Sequence, residues 1–117
     1  MKERIYVAGP YSVYGCSLHD APRLTYHNVN KAIEVGNALL LKGHDVFVPH
    51  LSYYQHIHPS MLKDLGERWY QIDNTFIDYW ATAFFFIGSS VGTNAELMRA
   101  EDIELKIYYS LDEVPDA

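Results

Sequence analysis

Two carboxylates and a tyrosine stand where this chain could do chemistry. Glu96 closes the segment Ser89-Ser90-Val91-Gly92-Thr93-Asn94-Ala95-Glu96, which runs from an apolar strand pattern into a helix. Small residues there let backbone N–H groups come close to a ligand, and a helix N-terminus favours an anion. Ser90 can offer a hydroxyl to a phosphate or carboxylate. Glu96 is expected in the first helical turn, facing the same cleft. The structural alternative is a capping box, Thr93-x-x-Glu96, in which the carboxylate only satisfies a backbone N–H. Asp73, in Gln71-Ile72-Asp73-Asn74-Thr75, shares a helical face with Trp69 and Phe76. An acid on an apolar face needs a partner or a job; otherwise it is an edge-of-core acid. Two carboxylates at one cleft are what glycosidic cleavage requires, one for the cationic sugar carbon and one for the leaving group. Tyr6 lies three residues before the Gly9-Pro10 turn. It is either a core aromatic of a strand or a hydroxyl that meets the cleft carboxylate.

Other chemistries have weaker footing. His50, His56 and His58 fall in one segment, but no cysteine accompanies them and HExxH is absent, so no metal site is expected. Cys16 with His19 lacks an orienting third group for a thiol nucleophile. As the single cysteine, Cys16 also excludes an intrachain disulfide. GxGxxG, GxxxxGK[ST] and GxSxG are all absent, which removes dinucleotide, P-loop and α/β-hydrolase readings. Val7-Ala8-Gly9-Pro10 stands where a receiver domain would carry an acidic cluster.

These residues must be positioned by one domain, since 117 residues are too few for two cores. At 49% hydrophobic and 21% charged the chain is an ordinary globular one. Its formal charge of −6 argues against a nucleic-acid polymer as partner. The start of the chain is too short in apolar residues for a signal or membrane span, so a cytoplasmic protein is expected, with no membrane partner. Ile5 to Gly9, Val46 to Val48, Ala83 to Ile87 and Lys106 to Tyr109 read as strands. Leu24 to Lys42, Met61 to about Tyr79 and Thr93 to about Asp102 carry helical periodicity. Residues 10 to 22 and 50 to 60 read as loops, and Leu111 to Ala117 as a tail. The alternation predicts a single-domain Rossmann-like or flavodoxin-like αβα sandwich on a parallel sheet of four or five strands. Ligands bind such sheets at the carboxyl ends of the strands, so the loops after Gly9, Pro49 and Ile87 should meet at the site.

Three segments together resemble the nucleoside 2-deoxyribosyltransferase superfamily, in particular its branch of nucleoside 5'-monophosphate N-glycosidases. They are Ile5-Tyr6-Val7-Ala8-Gly9-Pro10, then Gly43-His44-Asp45-Val46-Phe47-Val48-Pro49-His50-Leu51, and Asp73 through Ala100 with Ser90-x-Gly92-x-x-x-Glu96-x-x-x-Ala100. The resemblance covers most of residues 1–117 as one domain. It implies Glu96 as the catalytic glutamate, Asp73 as the aspartate near the base and Tyr6 as the tyrosine that positions Glu96. The transferases carry an aspartate where Ser90 stands, to hold the sugar 5'-hydroxyl. The monophosphate hydrolases carry a serine for the 5'-phosphate, which an aspartate would repel. His50 matches a histidine of the hydrolase branch. The first loop, Tyr11 to Pro22, departs from the family in lacking its phosphate-binding arginine and paired glycines.

The expectation is an N-glycosidase that takes a small nucleotide and needs no cofactor. Glu96, Asp73 and Tyr6 are the catalytic set, and Gly9, Ser12, His50, Ser90, Gly92 and Thr93 bind substrate. Two alternatives remain open: base exchange by a nucleoside 2-deoxyribosyltransferase, and a non-catalytic nucleotide-binding sensor. The aromatics Trp69, Tyr70, Phe76, Tyr79 and Trp80 exceed what one helix face can bury, which predicts a homodimer or larger homo-oligomer.

Overall fold

The computed structural model describes residues 1–11 and 21–117. Strand β1 (Arg4–Ala8) is followed by helix α1 (Ala21–Leu41), β2 (Asp45–Phe47), α2 (Ser52–His56), α3 (Glu67–Thr75), β3 (Ala83–Phe86), α4 (Val91–Asp102) and β4 (Lys106–Tyr108). The four strands form one parallel sheet in the order β2-β1-β3-β4. The architecture is α/β, as the alternation predicts, and its strand order is compatible with a flavodoxin-like αβα fold.

The side-chain period of two divides the strands between two apolar layers. Ile5, Val7, Ala83 and Phe85 point to one face and pack with Ala32, Val35 and Leu39 of α1. Tyr6, Ala8 and Phe84 point to the other, where Ile77 and Ala100 close over them. Both central strands are therefore apolar on every residue after the first of β1, as expected when helices cover both faces.

Several boundaries differ from the sequence expectation, each for a local reason. The segment after β2 is not a plain loop: Pro49–Leu51 makes a 3-10 turn and runs into α2. The second long helix begins at Glu67, not Met61. Asp64 Oδ1 accepts from the Gly66 N–H at 2.8 Å, and Gly66 takes φ +54 with ψ −121, a conformation that glycine alone adopts without strain. Apolar periodicity over 61–66 could not reveal that turn. At its other end the helix widens into a π turn over Phe76–Trp80, closed by the Ala81 N–H on the Phe76 carbonyl at 2.9 Å. This single turn brings the Phe76 ring flat on Phe47, centroids 3.8 Å apart and planes 9° off parallel.

The C-terminal segment is tied to the end of α1. Lys42 Nζ donates to the Val114 carbonyl at 2.8 Å, and the Ala117 N–H donates to the Lys42 carbonyl at 2.8 Å. Buried His44 accepts the Glu3 N–H on Nδ1 at 3.1 Å and donates from Nε2 to the Pro115 carbonyl at 2.7 Å. Among the described residues, no helix is long and apolar enough to cross a membrane.

Candidate active site

The strand order places a topological switch between β1 and β3, the point where crossovers leave in opposite directions and a crevice opens. Gly9 ends β1 there. A Cβ on it would lie 2.9 Å from Ile87 Cβ, so the two strand ends approach only because this residue has no side chain.

Tyr6, the central residue of β1, is fully buried between the rings of Phe47 and Phe84. Its hydroxyl crosses to α4 and donates to Glu96 Oε2. Glu96 is the sixth residue of α4, in its second turn and not its first. The helix starts two residues earlier than expected because Ser90, not Thr93, is its cap. Ser90 Oγ accepts the Thr93 N–H at 3.1 Å and lies 2.6 Å from Thr93 Oγ1. The capping-box alternative for Glu96 is thereby removed, and its carboxylate is held by a strand tyrosine instead.

The same cap changes what Ser90, Gly92 and Thr93 can offer. The Thr93 amide is engaged by Ser90 and is not available to an anion as the sequence suggested. The hydroxyls of Ser90 and Thr93 share one bond and so use one of their two protons, which leaves one for donation. The Val91 and Gly92 amides precede the first intrahelical bond, as at any helix start.

Asp73 lies on α3, one turn after Trp69, and faces the same cavity as Glu96. That cavity has a volume of about 620 Å³, and Gly9, His50, Asp73, Ser90, Gly92 and Glu96 contribute to its lining. A smaller cavity of about 280 Å³ on the α1 side carries a single carboxyl, Asp112.

Burial controls the electrostatics. It pushes the Glu96 carboxyl up to about 7; the Tyr6 hydrogen bond opposes that rise and the charge of Asp73 adds to it. Burial likewise pushes Asp73 up to about 6. Tyr6 is driven well above its ordinary value by burial and then by the two carboxylates, so it remains a donor. Both carboxyls are therefore raised toward neutrality, chiefly by burial.

His50 sits on the 3-10 turn after β2 and is 4% exposed. Its Nε2 lies 3.0 Å from the Gly9 carbonyl and 3.1 Å from that of Pro10. Carbonyls only accept, so Nε2 carries the proton. Burial holds the ring's pKa below the usual histidine value, against the pull of those two carbonyls. His50 thus pins the first loop to the second and presents Nδ1 as a lone pair.

Of the expected site residues, eight line or support this one cavity: Tyr6, Gly9, His50, Asp73, Ser90, Gly92, Thr93 and Glu96. Ser12, like Cys16 and His19, lies outside the described residues. His56 reaches the cavity lining, while His58 bonds Ser60. Among the described residues no three His, Cys, Asp or Glu side chains gather to hold a metal. Sequence reasoning missed Trp69, Tyr11 and Tyr70 as lining residues. Trp69 was detectable, since a tryptophan four residues before a cleft aspartate shares its helical face. No protein-family model matches the chain, and no curated protein matches it.

Proposed function

We propose that the chain is an N-glycosidase that cleaves the bond between base and sugar in a nucleoside 5'-monophosphate. The observation that carries this reading is the Tyr6 hydroxyl donating to a buried Glu96 carboxyl that shares one cavity with Asp73. Most buried acids are neutralised by an ion pair. Here two acids face one space and one of them, Glu96, is held by a tyrosine, which suits a site that stabilises a transient cation.

In the reaction the anomeric carbon–nitrogen bond breaks and its electron pair leaves with the base. Asp73 gives its proton to the departing base, and ionised Glu96 stabilises the positive sugar carbon or captures it as an ester. Water then bonds to that carbon and gives its proton to Asp73; where the ester had formed, its carbon–oxygen bond breaks and the electron pair returns to the Glu96 carboxylate. The productive form has Glu96 charged and Asp73 protonated. In the free protein Glu96 holds its proton somewhat more tightly than Asp73. Two effects favour the productive arrangement. The Tyr6 hydrogen bond is stronger to the ionised glutamate than to the neutral acid, and positive charge growing at the sugar carbon lowers the Glu96 pKa further.

Phosphate binding is assigned to the start of α4. The Ser90–Thr93 hydroxyl pair supplies one proton, and the Val91 and Gly92 amides with the helix dipole favour an anion. A homodimer belongs to the same reading. Tyr79 is 85% exposed and Tyr70 52%, and light scattering reads the mass directly. To test substrate class, the protein is incubated with ribo- and deoxyribonucleoside 5'-monophosphates and with the same nucleosides lacking phosphate. Chromatography follows free base. Base release that requires the phosphate supports hydrolysis of monophosphates. New nucleoside formed on adding a second base would instead indicate transfer.

A further inference from the structure

Two residues of this cavity wall each carry a buried polar atom unused by the mechanism above. Trp69 Nε1 and His50 Nδ1 are both buried, and neither has a hydrogen-bond partner among the described residues. Buried polar atoms are nearly always paired, so two orphans in the lining of one cavity call for a ligand. Their demands are opposite. An indole nitrogen only donates. His50 Nδ1 only accepts, because Nε2 holds the ring proton against the Gly9 and Pro10 carbonyls. A phosphate dianion has only acceptor oxygens and cannot satisfy such a lone pair, so His50 is not assigned to the phosphate.

Trp69 and Asp73 are four residues apart on α3, neighbours on one helical face with roughly 6 Å of rise between them. The acid that protonates a leaving base therefore has a fixed donor one turn before it.

We propose that Trp69 and His50 read the departing base as a pair, the indole N–H donating to an acceptor on the base and His50 Nδ1 accepting from a donor on it. This deepens the N-glycosidase reading and rests on it. The substrate class is a base with both a polar acceptor and an N–H beyond the atom that Asp73 protonates. Trp69 is then a specificity-determining residue.

The test uses ¹⁵N-labelled full chain and a C-nucleoside 5'-monophosphate, whose carbon–carbon glycosidic bond cannot be hydrolysed. Formycin 5'-monophosphate and pseudouridine 5'-monophosphate serve as probes. The chain has two tryptophans, Trp69 and Trp80, so two indole signals are assigned by Trp69→Phe or, if that variant fails to fold, by Trp80→Phe. On saturation the Trp69 indole signal should shift and gain protection from hydrogen exchange. The His50 Nδ1 signal should move as its lone pair is engaged, while Trp80 stays in place. In parallel, Trp69→Phe should lower kcat/KM for hydrolysed monophosphates by roughly tenfold, with the melting temperature checked. If nucleotides are hydrolysed but the Trp69 and His50 signals do not respond, this inference is wrong and the glycosidase reading stands. If nucleotides neither bind nor react, both fall together.

Discussion

The Tyr6 hydroxyl, carried at the centre of β1, donates to Glu96 Oε2 in the second turn of α4. The donor comes from a strand whose last four residues are buried, while the acceptor lines a cavity. One hydrogen bond therefore transmits the rigidity of the sheet to the group that the proposed reaction sets against the sugar carbon.

Tyr6→Phe tests that link. The ring should stay seated against Phe47 and Phe84, so the fold survives. The lost bond to a charged group costs about 1.5–3 kcal/mol of transition-state stabilisation, or roughly 10- to 150-fold in kcat/KM. Because the bond holds the Glu96 pKa down, its removal should also move the alkaline limb of the pH–rate profile upward and lower the maximum. A variant with parental rate and profile would show the bond to be structural only.

The parent pH–rate profile should be a narrow bell. Both carboxyls titrate close together, Asp73 near 6 and Glu96 near 7, and only the singly protonated pair is productive. The maximum should fall between these values, with rate lost on either side. A plateau extending past pH 9 would contradict the assignment.

Stability carries the same signature. Both folded-state values lie above the ordinary carboxyl range, so the folded protein binds more protons than the unfolded chain between about pH 4 and 7. Stability from these groups is full below the unfolded values and is lost as pH rises through 6 and 7. Glu96→Gln keeps an acceptor for Tyr6 but cannot ionise. It should gain about 1–2 kcal/mol over the parent at pH 8, and little at pH 4. Thermal melts of the two proteins across pH check this.

Ser90 has two roles that substitution can separate. Ser90→Ala removes the cap on α4 and should cost about 1 kcal/mol, seen as a drop of a few degrees in melting temperature. Ser90→Asp keeps a capping oxygen but brings a negative charge to the phosphate. It should melt like the parent, yet lose tenfold or more in kcat/KM on monophosphates.

Much of this arrangement was legible because the responsible patterns are short-range. Ile5 to Ala8 and Ala83 to Phe86 are apolar on both faces, which marks central strands before any coordinates exist. The Ser90–Glu96 spacing and the Trp69–Asp73 face are likewise local. The rest depends on geometry that residue type does not fix. Ser90 rather than Thr93 became the cap, the Asp64–Gly66 turn delayed α3, and a π turn set the Phe76 ring on Phe47. Each is decided by a backbone angle or a tertiary contact. That the nitrogens of Trp69 and His50 find no partner among the described residues is invisible in sequence for the same reason, since it is a property of surroundings.

The most direct measurement compares initial rates of free-base release from nucleoside 5'-monophosphates by the parent and by Glu96→Gln, both shown to be folded by thermal melting. The account predicts free base and sugar 5-phosphate from the parent, with at least a thousandfold loss in the variant. Equal rates in the two proteins, or no base released by the folded parent from any monophosphate, would contradict it.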